Sequence, residues 1–218
     1  LPALQVVVPL VAAPLCLLAG RAGLAWIIAF LAAAFATVAA ALLAYQTLHH
    51  DPISYAMGGW APPWGIEYAV DTANAFILLL VSAIACLVLV FCRTSIPKEI
   101  RAGREHLFYC MYTLCLAGLL GIAITGDAFN VFVFLEISSL SSYALIAMGG
   151  QRKSLTAAFQ YLIMGTIGAT FFLIGVGLLY MMTGTLNMAD LAKRIPEIQD
   201  SRPILAAFAF ITVGLALK

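Results

Sequence analysis

Two ionisable side chains stand where the chain is otherwise apolar. Glu136 lies near the middle of Gly126–Gly149, GDAFNVFVFLEISSLSSYALIAMG, and Lys218 closes the run ILAAFAFITVGLALK. A helix rising about 1.5 Å per residue crosses a hydrocarbon core of roughly 30 Å with about 20 residues. Ala128 to Met148 meets that length, and Glu136 then falls within a turn of the midplane. A carboxylate at that depth costs roughly 2.5–3.5 kcal/mol on insertion scales, so it calls for a partner or a role. Lys218 lies about 22 Å along its own run from Pro203, too deep to snorkel easily to the outer surface. Burial disfavours a charged ammonium, and a nearby carboxylate favours it. A lysine whose carboxylate neighbour can move or re-pair is therefore a proton-binding switch. The competing reading is a static buried pair that fixes helix packing, although such pairs are weak stabilisers beside apolar packing.

The same stretch adds Ser138, Ser139, Ser141, Ser142 and Tyr143. On a helix, Ser139 and Tyr143 share a face with Glu136 at i+3 and i+7, which makes a polar strip running from the carboxylate. Serines in membrane helices commonly bond back to their own backbone, so the strip gains meaning only from Glu136. Gln160, in the next apolar run, is a further candidate for a polar path or for a hydrogen-bonded packing role. His49, His50 and Asp51 form a surface cluster in a polar connection, and Asp127 and His106 stand at span ends. No phosphate-cradling glycine loop, nucleophile elbow or haem-binding pair occurs, so neither a soluble-type enzyme nor a bound cofactor is indicated. The five cysteines (Cys16, Cys86, Cys92, Cys110, Cys115) show no CxxC spacing and no companion histidines. They read as small core-fillers rather than as disulfides or metal ligands.

The elements that hold these residues follow from composition. Hydrophobic residues make up 64% of the 218 and charged residues 10%, the balance of an integral membrane protein. Eleven Lys+Arg against ten Asp+Glu leave no basic surface for nucleic acid. Seven apolar runs are expected as helices: Leu4–Leu18, Leu24–Leu48, Thr72–Cys92, Leu107–Ile124, Ala128–Met148, Leu155–Met182 and the start of a seventh at Ile204–Lys218. No strand-like alternation of the barrel kind appears, which leaves helices as the spanning structure. Met188, Leu191 and Ile195 recur at helical spacing in MADLAKRI, which predicts a short interfacial helix between the sixth and seventh runs.

If alternate connections share a side, one side carries Arg21, Arg93, Lys98, Arg101, Arg104, Arg152 and Lys153. The other carries Lys193, Arg194 and Arg202. The positive-inside rule then puts the first group in the cytoplasm and the N-terminus and the Trp60/Trp64 loop outside. Gly103 and Gln151 are expected inside, Gly65 and Gln199 outside. Gly165 and Ala169, with Gly168, Gly175 and Gly177 close by, predict a tight helix crossing in the sixth span.

The runs TGDAFNVFVFLEISSLSSYALIA, AAFQYLIMGTIGATFFLIGVGLLYMMTGTLNMADLA and FITVGLALK resemble the antiporter-like proton-translocating membrane subunits. These occur in respiratory complex I, membrane-bound hydrogenases and Mrp-type multisubunit cation/proton antiporters, and the D-type component of the last is nearest in look. The resemblance is most specific from about Thr125 to Lys218. It implies that Glu136 and Lys218 are the family's fifth-helix glutamate and seventh-helix lysine. It also implies an all-α multi-helix bundle forming the N-terminal part of a fourteen-helix fold built on two inverted five-helix repeats.

On that reading, residues 1–105 hold the first three helices and 106–218 an incomplete first repeat, helices four to six and the start of seven. The expected chain is longer than the one in hand, because Leu1 is not an initiator methionine and Lys218 ends inside a helix. The implied function is proton translocation through Glu136 and Lys218, supported by Ser139, Tyr143 and Gln160 and coupled to sodium or potassium exchange. The implied partners are other membrane subunits of a complex in a prokaryotic cell membrane. A redox-driven pump subunit is the alternative within transport, and a non-transporting scaffold is the rival from another class.

Overall fold

The computed structural model describes residues 1–198 and 200–218. Eight helices occur among them: α1 (Pro2–Ala19), α2 (Ala22–His49), α3 (Thr72–Glu99), α4 (Glu105–Ile124), α5 (Ala128–Ala147), α6 (Arg152–Thr183), α7 (Met188–Ile198) and α8 (Arg202–Leu217). α1 to α6 are each long and apolar enough to cross a membrane, and α8 is a shorter apolar helix of 16 residues. These match the seven runs expected from hydropathy, and α7 is the predicted short amphipathic helix. Leu191 of α7 is buried, while Met188 remains exposed.

Small residues set the packing. α2 buries Ala25, Ala29, Ala32, Ala33, Ala36, Ala39, Ala40 and Leu43, a stripe at helical spacing that lets α1, α3 and α4 approach its backbone. One core joins α1–α4 and reaches Phe134 on α5. A second joins Ala128 of α5 to Phe172, Val176 and Leu179 of α6, Leu191 of α7, and Ile204 and Ala207 of α8. α5 therefore belongs to both. The outward faces, for example Phe76, Leu80, Leu87 and Phe91 of α3, are large, apolar and exposed, as a lipid-facing surface requires.

The sequence reading of residues 50–70 as a polar connection misses their structure. Strands β1 (Ile53–Ala56) and β2 (Glu67–Val70) pair antiparallel, Ile53 opposite Val70 and Ala56 opposite Glu67. The α4–α5 connection continues this pairing, with the Gly126 amide donating to the Glu67 carbonyl (2.8 Å). The α6–α7 connection pairs in turn with it, Ala128 N–H to Leu186 O (2.9 Å) and Met188 N–H to Gly126 O (2.8 Å). Three connections thus interlock at one end of the bundle. Arg21, Arg93, Arg101, Arg104 and Arg152 line clefts formed by the other connections. There the Arg93 guanidinium lies 4.5 Å from the centroid of the Trp26 ring, and Trp26 Nε1 donates to Leu89 O (2.8 Å). Alternate connections therefore do share a side.

The α6–α8 crossing is made by backbone. A methyl group at Gly168 would stand 2.8 Å from Gly214 O, and one at Gly214 would stand 2.6 Å from Phe172 N. Gly165 faces α5 instead, where a methyl group would fall on the Tyr143 hydroxyl. The expected close approach is present, but it is divided between two neighbours. Gly177 meets nothing within 4 Å.

These contacts yield a pair of contrasting expectations. Gly168→Ala forces backbone against backbone and should cost roughly 1–3 kcal/mol, as overpacking does. Gly177→Ala has open space and should leave thermal stability of the purified protein unchanged or slightly raised. Equal losses in the two variants would show that the crossing is misjudged. For orientation, a side chain at Gly65 would strike the Trp60 carbonyl, and Gln199 lies outside the described residues, so exposed Trp64 is the better probe of that end. Single cysteines at Trp64 and Gln151, in a cysteine-free background, should label oppositely with an impermeant thiol reagent in intact cells: Trp64 modified, Gln151 protected.

Candidate functional site

The start of α5 is fixed by its own polar residues. Asp127 caps the helix, accepting from the Asn130 amide (2.8 Å), and Asn130 Nδ2 donates to Thr125 Oγ1 (3.0 Å). Burial pushes the Asp127 carboxyl above its ordinary value, opposed by the amides of Asn130 and Phe129. Beside this cap, Asn187 Nδ2 donates to Glu67 Oε2 (2.6 Å), and Ser54 donates to the other carboxylate oxygen of Glu67. Thr125, Asp127, Asn130, Thr185 and Asn187 are all buried.

From that cap the helix carries Glu136 to mid-length. The serines around it are satisfied within the helix: Ser138 and Ser139 donate to Leu135 O (3.0 and 2.6 Å), Ser141 to Ile137 O and Ser142 to Ser138 O (2.8 Å). A polar-rich helix can thus lie at membrane depth without orphaned hydroxyls.

α8 begins with Pro203 in its first turn, where the missing amide is harmless, and buries Ile204 and Ala207. Close approach to α6 at Gly168 and Gly214 then brings its far end toward α5. Lys218 Nζ pairs with Glu136 Oε1. Their side chains are 9% and 24% exposed, so the ammonium is the more enclosed partner. Among the described residues one other salt bridge occurs, Arg194 to Asp190 within α7 (2.9 Å).

Lys218 also lines a cleft of about 400 Å³ with Gln160, Tyr161, Met164 and Gly165. Tyr143 sits over Gly165, its ring edge-on to Tyr161 with centroids 5.7 Å apart. The structure therefore gathers Glu136, Lys218, Tyr143 and Gln160 around one place. Ser139 is on the expected face, but its hydroxyl is bonded to Leu135 O. Tyr161 is the residue sequence reasoning missed. Its position four residues before Gly165, on the same helix face, is the signal that could have found it.

Among the described residues no group of three His, Cys, Asp or Glu side chains is arranged to hold a metal ion. In the His49, His50 and Asp51 cluster, His49 is occupied locally, its Nδ1 hydrogen-bonding Tyr45 O (2.9 Å).

The helical arrangement is shared with known proteins. Residues 125–218 match the family described as NADH:quinone oxidoreductase/Mrp antiporter, transmembrane. The whole chain aligns at 46% identity with 44% of the NADH-quinone oxidoreductase subunit N of Desulforudis audaxviator. It is 39% identical, over 65% of its length, to 28% of the D-type component of the Na(+)/H(+) antiporter of Bacillus subtilis. Among solved structures, a chain of the membrane-bound sulfane sulfur reductase, an archaeal respiratory membrane complex, superposes with a TM-score of 0.91 at 32% identity. That match covers 99% of this chain and 44% of the other. A chain of the Mrp complex from Dietzia sp. DQ12-45-1b superposes with a TM-score of 0.84 at 26% identity, covering 99% of this chain and 40% of that one. The chain spans less than half the length of the curated relatives it matches.

The cap of α5 gives a local prediction. Asp127→Ala should cost about 1 kcal/mol, the usual worth of an N-cap, whereas Asp127→Asn keeps an acceptor oxygen and most of the stability. Thermal unfolding of the purified protein in detergent measures both; equal effects would mean that charge, not capping, matters at this position.

Proposed function

The chain belongs to the NADH:quinone oxidoreductase/Mrp antiporter family of membrane subunits, and on that premise we propose that it carries protons through Glu136 and Lys218. We assign it to a multisubunit antiporter that exchanges protons for sodium or potassium, beside other membrane subunits in a prokaryotic cell membrane, with its N-terminus outside. The observation that carries the reading is the enclosed Lys218 ammonium against the Glu136 carboxylate, together with a cleft that Lys218 also lines.

The mechanism follows from the environment. While Glu136 faces Lys218 the ammonium is compensated and holds its proton. If the carboxylate turns away, the charge is left uncompensated in a low-dielectric interior, which favours handing the proton to a water in the cleft beside Lys218. Gln160 lines the cleft at Lys218 and makes no hydrogen bond to the protein among the described residues, so its amide is free to orient a proton acceptor. Tyr143, packed over Gly165, limits how closely α5 and α6 approach beside the pair.

A second reading has specific support. Identity is higher, and extends over the whole chain, with the relative named as a subunit of NADH-quinone oxidoreductase. A redox-driven complex would use the same pair, with electron transfer in other subunits as the energy source. Mass spectrometry of the purified complex separates the two: accompanying redox subunits favour this reading, and their absence together with sodium- or potassium-dependent flux favours the antiporter.

The test of the pair is proton flux in inverted vesicles bearing the intact complex. Glu136→Gln and Lys218→Ala should abolish flux, and Glu136→Asp, which keeps the charge but shortens the reach, should retain part of it. Gln160→Leu should slow flux without abolishing it. All four should reach normal membrane levels. Near-normal flux in Glu136→Gln at normal expression would put the scaffold reading ahead.

A further inference from the structure

A second cleft, of about 580 Å³, opens at the basic end of the bundle, where the α3–α4 connection meets the α5–α6 connection. Arg101, Arg104 and Arg152 line it, all three exposed. None has a carboxylate within 4 Å or a side-chain hydrogen bond among the described residues, whose two ion pairs lie elsewhere. Glu105 accepts from the Gly103 amide of its own turn (2.9 Å), and Glu99 presents its backbone carbonyl toward Gly150.

Apart from Gln151 and the Gly149–Gly150 turn, the rest of the lining is apolar, including Leu107 from α4, Met148 at the end of α5 and Leu155 from α6. Leu155 is itself among the large apolar side chains exposed on the bundle surface. The cleft therefore offers three guanidinium groups beside an apolar wall at the ends of α3 and α5 and the starts of α4 and α6. Guanidinium groups pair with phosphate oxygens in a bidentate way, and basic pockets between membrane helices suit anionic headgroups. An ion taken from water would use the arginines alone. A phospholipid would use both the arginines and the wall.

We propose that this cleft binds the headgroup of an anionic membrane phospholipid, with Arg101, Arg104 and Arg152 on the phosphate and the acyl chain against Leu107, Met148 and Leu155. A lipid seated there bridges the four-helix core of α1–α4 to α6. The site is independent of Glu136 and Lys218, so failure of either assignment leaves the other standing.

The test uses the intact membrane complex in vesicles containing trace photoactivatable phosphatidylglycerol or, separately, photoactivatable phosphatidylcholine. Peptides covering 100–107 and 144–155 are then read by mass spectrometry. Phosphatidylglycerol should label both, with phosphatidylcholine at background. Arg152→Gln should lower labelling about fivefold, the ratio that one basic residue near an anionic surface is worth. The triple Arg→Gln variant should fall to the phosphatidylcholine level, and the triple Arg→Lys variant should keep the headgroup preference. Equal labelling of the unmutated complex by the two lipids would overturn the proposal, whatever the variants do. Displacement of the phosphatidylglycerol label by millimolar inorganic phosphate would also overturn it, by showing a site for the free anion. Undiminished labelling in a correctly assembled triple Arg→Gln variant would show that the arginines do not make the site.

Discussion

An ammonium enclosed among apolar helices needs an anion beside it, and the packing of α5, α6 and α8 supplies one. α6 packs against both other helices. Side chains at the α6–α8 crossing would hold α8 farther from α5. Because Gly168 and Gly214 bring backbone onto backbone there, a lysine at the end of α8 reaches a carboxylate in the middle of α5. The glycines and the ion pair are thus parts of one arrangement: the first sets the distance, and the second uses it.

A second constraint acts at the bundle ends. Helical backbone satisfies itself in lipid, whereas the connections have to find partners for their own amides and carbonyls. At one end they do so by pairing with each other, as hairpin, α4–α5 turn and α6–α7 turn line up in succession. At the other end the connections are short and basic, and there Arg93 lies over the Trp26 ring while Arg101, Arg104 and Arg152 line an open cleft. The two ends therefore differ in backbone pairing as well as in charge.

Sequence carried the spans plainly, because long apolar runs have few alternatives in water or lipid. It also exposed Glu136 and Lys218, since an ionisable residue inside such a run has no inconspicuous explanation. The hairpin at residues 53–70 stayed hidden behind Pro, Gly and Trp residues that read equally well as loop. The Glu67–Asn187 bond joins residues 120 positions apart, and nothing local announces it. Small-residue spacing pointed to a crossing in α6 but not to its partners: Gly165 meets Tyr143 of α5, while Gly168 meets α8. Ser139 shows the opposite limit. Its place on the Glu136 face was legible, yet the bond of its hydroxyl to Leu135 O depends on a rotamer that spacing does not specify.

The interlocked connections also bear on mechanics. α5 is pinned at its Asp127 end, where the amides of Gly126 and Ala128 are bonded to two different neighbours, while its Ala147 end passes into a short glycine turn. Of the two ends, the Asp127 end is the natural pivot for any lean of the helix. Glu136 lies about 13 Å from that fulcrum, so a tilt of about 5° displaces its carboxylate by about 1 Å. Such a displacement is small for the bundle and large for a hydrogen-bonded ion pair. With α5 anchored at its Asp127 end, a slight lean of the helix would be enough to make or break the contact between Glu136 and Lys218, with no need to unwind any turn.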